Sequence, residues 1–151
     1  MTSNLESGVI AYKGRNAAVV LADEWVAADF PATTVEKQIG DWISITDFRP
    51  TSIWFDYVSG AGMTQCTLGM KVRIDGTDEY VLMRQNTTAW SVALGATSLT
   101  GSIGIGGANV ADDLPLGGRG IEVGIFVVPI ASSFADCTLK VGLAGTKVVW
   151  P

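Results

Sequence analysis

The chain has 151 residues, a net charge of −5, 48% hydrophobic residues and only 17% charged ones, where soluble domains carry about 25% charged. That length suits one domain, which can bury roughly 70% of the surface its unfolded form exposes. No Lys/Arg cluster occurs, which argues against nucleic-acid binding; the longest apolar stretch, Val123 to Ala135, has 13 residues and holds a proline, short of the ~20 a membrane helix needs.

The opening "MTSNLESGVI" has no basic run before an apolar core, so no secretory leader is expected. From Val9 to Phe30 the pattern is ambiguous. "AAVVLADEWVAADF" fits a short helix with Ala18, Leu21, Ala22 and Trp25 on one side, while "AAVVLAD" fits a strand followed by a turn; the strand is the expectation, and Pro31 ends either. "VEKQIGDWISITDF" has strand periodicity, with Trp42, Ser44 and Thr46 on one face and Ile43, Ile45 and Asp47 on the other, broken by Pro50.

The clearest signal is "SIWFDYVSGAGMTQCTLGMKVRIDGTDEYVLM", Ser52 to Met83. Ile53, Phe55 and Tyr57 alternate with Trp54, Asp56 and Val58. Gly60 and Gly62 suit a turn. Cys66, Leu68, Met70, Val72 and Ile74 then point one way, and Gln65, Thr67, Gly69, Lys71 and Arg73 the other. Asp75-Gly76 has hairpin-turn chemistry.

Residues 85–111 form a run of 27 without a single charge. Two readings stand: short Ser/Thr strands with a Gly-rich loop, or the charge-poor centre of a protein–protein interface. Further on, "IEVGIFVVPI" is apolar on both faces, as a central covered strand would be. "CTLKVGLAG" alternates Cys137, Leu139, Val141 and Leu143 against Thr138, Lys140 and Gly142, and "TKVVWP" reads as a last short strand. About eight strands at this spacing predict an all-β antiparallel sandwich or barrel. The first 40 residues are either edge strands or an arm.

Chemistry-bearing patterns are sparse. There is no histidine, hence no Ser-His-Asp triad and no His metal ligand. "GIGGAN", Gly104 to Asn109, has Asn109 where a dinucleotide fingerprint needs glycine, and no βαβ unit surrounds it. Asp112-Asp113 would point to opposite faces of a strand. Asp75, Asp78 and Glu79 match no calcium-loop spacing, so a polar turn is the better reading. Asn86 opens a glycosylation sequon that means little without a leader. Cys66 and Cys137 lie on apolar faces and read as buried free thiols. Of the five tryptophans, Trp54 shares its face with Asp56 and is the best candidate for a sugar-binding platform, although packing is the better reading.

The turn-and-alternation pattern from Ile53 to Tyr80 resembles a unit of tailed-bacteriophage virion proteins: strand, small-residue turn at Ser59–Gly62, Thr-led strand Thr64–Ile74, Asp75-Gly76 hairpin, then an aromatic. The resemblance spans roughly residues 42–84 and carries no site residue. It implies a jelly-roll-like sandwich and a capsid decoration, or cement, protein on the virion surface. Its partners would be the major capsid protein and further copies of itself, a trimer being favoured, with no nucleic acid, membrane, cofactor, metal or catalytic residue. The expected contact surface is the uncharged run, with Trp90, Leu94, Leu99, Ile103 and Ile105 as contacts. Trp90→Ala is then expected to weaken assembly or capsid binding without unfolding the chain. The alternative is a carbohydrate- or receptor-binding sandwich of a phage tail or bacterial surface protein; a small two-carboxylate glycosidase is the third reading.

Overall fold

The structure, a computed structural model, describes the backbone of residues 4–6, 9–11, 17–74, 79–81, 84–85, 88–89, 91–105 and 120–147, with side chains for 17–73, 91–105 and 120–147. Its strands are β1 (Asn4–Glu6), β2 (Val9–Ala11), β3 (Ala17–Trp25), β4 (Lys37–Ser44), β5 (Phe48–Val58), β6 (Met63–Ile74), β7 (Glu79–Val81), β8 (Arg84–Gln85), β9 (Thr88–Ala89), β10 (Ser91–Ala93), β11 (Leu99–Gly104), β12 (Ile121–Ala131) and β13 (Thr138–Lys147). Among the described residues the only helix is a single 3-10 turn, Ala27–Asp29.

Eight of these strands build two antiparallel four-stranded sheets packed face to face. One sheet runs β3-β13-β5-β11 and the other β10-β6-β12-β4. Counted along the chain, those orders are first-eighth-third-sixth and fifth-fourth-seventh-second. This is the connectivity of a jelly roll, two Greek keys wrapped into a sandwich. The hairpin β1–β2 extends the first sheet beyond β3, so residues 4–11 supply edge strands. β7 joins the outer side of β6, and β8 pairs with β9.

Period-two alternation explains the core. Ile53, Phe55 and Tyr57 of β5 meet Leu139, Val141 and Leu143 of β13 on the inner face of one sheet. Opposite them lie Cys66, Leu68 and Met70 of β6 and Val123, Ile125 and Val127 of β12. No polar or charged residue is buried among the described residues. Both thiols, Cys66 and Cys137, are buried and free.

The structure corrects several boundaries. Residues 17–25 form a strand, which removes the helix reading. Its alternation was obscured because Val141 pairs with Asp23 and Gly142 with Leu21, leaving Ala22 as an extra, bulged residue. Pro50 does not end a strand; it lies inside β5, next to the register shift between Ala144 and Gly145, where proline is tolerated. Thr146 and Lys147 continue β13 instead of opening a separate strand. β12 is central, but its outer face is only partly covered. Phe126 is buried there, while Ile130 is 45% exposed.

Candidate interaction edge

Residues 91–105 of the uncharged run cross from one sheet to the other along a single flank of the sandwich. β10 is the edge strand on β6, and β11 is the edge strand on β5. Side-chain and backbone bonds hold the segment on both sheets. The Leu94 amide donates to the Cys66 carbonyl at 2.7 Å. The Tyr57 hydroxyl donates to the Gly95 carbonyl at 3.0 Å, which anchors a turn where Gly95 has a φ of 76° that side chains disfavour. The Ser59 amide donates to Ser98 Oγ at 2.9 Å. The Thr100 hydroxyl donates to Asp56 Oδ1 at 2.7 Å. Burial pushes the Tyr57 phenol above its usual range, so it stays a neutral donor.

The expected contact residues separate. Leu94 and Ile105 are only 5% and 2% exposed and belong to the chain's own core. They cannot serve as surface anchors, because strand alternation turns both toward the opposite sheet. Ile103 is half-buried against that core. Leu99 is 47% exposed, and Trp90 lies outside the described residues. What the segment offers outward is therefore Leu99 together with the backbone and small side chains of β11.

That backbone has a definite polarity. The Ile105 amide donates to the Thr51 carbonyl at 2.8 Å. In an antiparallel ladder bonded pairs alternate, so Ile103, Gly101 and Leu99 turn their peptide groups toward Ile53, Phe55 and Tyr57. Thr100, Ser102 and Gly104 turn theirs outward, away from β5.

Edges of this kind are usually protected by charge, proline, a bulge or shortness. The other edges among the described residues show such devices. β4 carries Lys37 and Asp41, and its ladder to β12 shifts between Ile43 and Ile39. Gly40 sits in that bulge at a φ of 73°, and a Cβ there would lie 2.2 Å from the Ala22 carbonyl oxygen, so only glycine lets β4 approach β3. β10 has three residues; β1 has three and includes Glu6. β11 has six, with no charge, no proline and an unbroken register. Composition had marked the segment, but its edge position depends on pairing with β5, about 45 residues back in the chain, which local pattern cannot reveal.

Other surfaces are more occupied. On the outer face of the second sheet Arg73 lies 4.5 Å over the Trp42 ring and pairs with Glu122 at 3.1 Å. Phe126 meets Trp42 edge-on, and Lys71 lies 4.5 Å over Phe126. Trp42 is thus not an open platform. Trp25 is buried, and Trp54 is half-buried, its ring lying where a Cβ on Gly142 would come within 2.6 Å. A cleft of about 510 Å³ opens between β3 and β4, lined by Leu21, Asp41, Trp42, Asp47 and Lys147 among others. No group of three or more Cys, Asp or Glu side chains that could hold a metal occurs among the described residues. In comparisons with protein-family models, curated proteins and solved structures, the chain matches none.

Proposed function

We propose that the chain is a structural protein of a tailed-phage virion, a decoration protein that binds the outer capsid and stabilises it. The observation that carries this reading is the β10–β11 flank: a jelly roll with a six-residue, uncharged edge that shows no protective device among the described residues. A hydrophobic composition with few charges supports it, since such a chain gains by burying surface in an assembly. The turn pattern of residues 42–84 adds the resemblance to virion proteins.

Cementing follows from multivalency. Each copy buries modest area across capsid subunits, and disassembly must break many such contacts at once. Neutral polar backbone and a few apolar side chains on that edge suit the joining of copies into such a multivalent unit, because they impose little desolvation cost beyond the hydrogen bonds they regain. The test is co-sedimentation with empty shells assembled from the major capsid protein encoded in the same genome. Saturable binding in a fixed ratio to the capsid lattice, with a raised shell-disassembly temperature, is expected. No binding to those shells, or a genome without a capsid gene, overturns the reading.

The carbohydrate-binding alternative rests on the β3–β4 cleft, whose lining includes Asp41, Asp47 and Lys147 together with Trp42, a ring already in contact with Arg73 and Phe126. It requires soluble glycans to quench tryptophan emission, and Trp42→Phe to reduce that quenching.

A further inference from the structure

We propose that two copies of the chain join edge to edge, β11 against β11, antiparallel about a two-fold axis at Ser102. The inference stands whether or not the chain decorates a capsid, and it commits to a second copy for three reasons.

The first is charge. The chain carries −5 overall, so most ways of bringing two copies together oppose like charges. β11, Leu99–Gly104, has none, and it is the long edge where copies meet without that repulsion. The second is hydrogen bonding. The outward peptide groups sit at Thr100, Ser102 and Gly104, an evenly spaced set centred on Ser102. A two-fold axis there pairs Ser102 with its own copy and Thr100 with Gly104 in both directions, so every outward N–H and C=O of the strand gains a partner. The third is shape. The intervening pairs set Gly101 opposite Ile103 and Leu99 opposite Ile105. In an antiparallel ladder these non-bonded pairs approach most closely, at about 4.5 Å between Cα atoms. A glycine faces the half-buried isoleucine, which leaves room for that side chain at the close pair.

The arrangement is isologous and closes at two copies. It joins two six-stranded sheets into one and leaves the outer faces of both sandwiches free. A trimer, the order favoured by the sequence resemblance, is not produced by this edge.

The test uses the full chain in sedimentation velocity across a wide concentration range. Wild type is expected to move from monomer, 15.9 kDa, to dimer as concentration rises. Ser102→Pro removes an N–H that points away from β5, so the fold's own ladder is untouched, and Ser102→Lys places two cations against each other on the axis. Each is expected to weaken dimerisation at least tenfold while far-UV circular dichroism stays unchanged. As a geometric check, Ser102→Cys places two thiols on the axis with Cα atoms about 5.5 Å apart, within disulfide reach. Thr100→Cys leaves them roughly 14 Å apart, beyond it. Cys66 and Cys137 are 0% and 1% exposed and do not compete. The expected result is an intermolecular disulfide in Ser102→Cys alone. A monomer at every concentration, a trimer, a dimer indifferent to both Ser102→Pro and Ser102→Lys, or equal cross-linking of the two cysteine variants each overturns the proposal. Occupation of the edge by another protein in place of a second copy would show as a chain that stays monomeric and is overturned in the same way.

Discussion

Leu94 and Leu99 belong to the same uncharged segment, five residues apart, yet the structure gives them opposite roles. Leu94 is 5% exposed and Leu99 47%. Truncating a buried leucine to alanine removes its apolar contacts and leaves a cavity, at a cost of about 2–5 kcal/mol. For a chain of this size each kcal/mol lowers Tm by roughly 2–4 °C, so Leu94→Ala should lower Tm by about 4–20 °C. With total stabilities of about 5–15 kcal/mol, the variant should still fold at room temperature. Leu99→Ala loses a half-exposed side chain with no enclosed cavity and should cost about 1 kcal/mol or less. Its effect should appear in assembly. Urea unfolding followed by tryptophan emission, together with calorimetry, measures both. Equal destabilisation by the two substitutions would refute the assignment of Leu94 to the core and of Leu99 to the exposed margin of this segment. So would a Leu94→Ala variant of wild-type stability.

Three further outcomes are expected. Tyr57→Phe removes the hydroxyl that donates to Gly95 and should cost about 1 kcal/mol, with faster amide exchange confined to residues 94–98. Gly142→Ala forces a methyl group to within 2.2 Å of the Val20 carbonyl oxygen and 2.6 Å of the Trp54 ring; it should destabilise by about 1–3 kcal/mol and shift tryptophan emission. Alkaline pH should weaken the fold. Burial, reinforced by the neighbouring Cys137, pushes the Cys66 thiol from its usual 9.0 up to about 12, and Tyr57 is raised too. Above pH 9 the unfolded chain releases protons that the folded chain retains, so stability is full at neutral pH and falls between pH 9 and 12. A denaturation midpoint that rises over that window would contradict this, as would rapid thiol labelling of the native protein at pH 8.

Much of the sandwich was legible because its best strands obey period two without interruption. β6, from Met63 to Ile74, and β13, from Thr138, display their inner and outer faces directly in the residue order. Legibility failed where a bulge inserted a residue. Ala22 broke the alternation of β3 into something helix-like, and the Gly40 bulge placed Ile39 and Ile43 on the inner face with exposed Asp41 between them. Pairing was not legible at all. β3 lies beside β13, from the opposite end of the chain, because a jelly roll folds its strands back as Greek keys. The same limit explains the mixed fate of the contact residues. Lack of charge drew attention to residues 85–111, but it does not separate residues that turn inward, such as Leu94 and Ile105, from those left on an edge. The Asp75-Gly76 turn, Trp90 and residues 106–119 lie outside the described residues.

The most direct test of the account is binding to empty shells of the major capsid protein encoded with the chain, measured by gradient sedimentation alongside the shell's disassembly temperature. The account predicts saturation at a fixed number of copies per capsid subunit and a shell that survives to higher temperature. It also predicts that Ser102→Lys and Leu99→Ala, but not a substitution on the β4 edge such as Asp41→Asn, reduce the bound amount. Shells that bind no chain and melt at the same temperature with or without it would contradict the account.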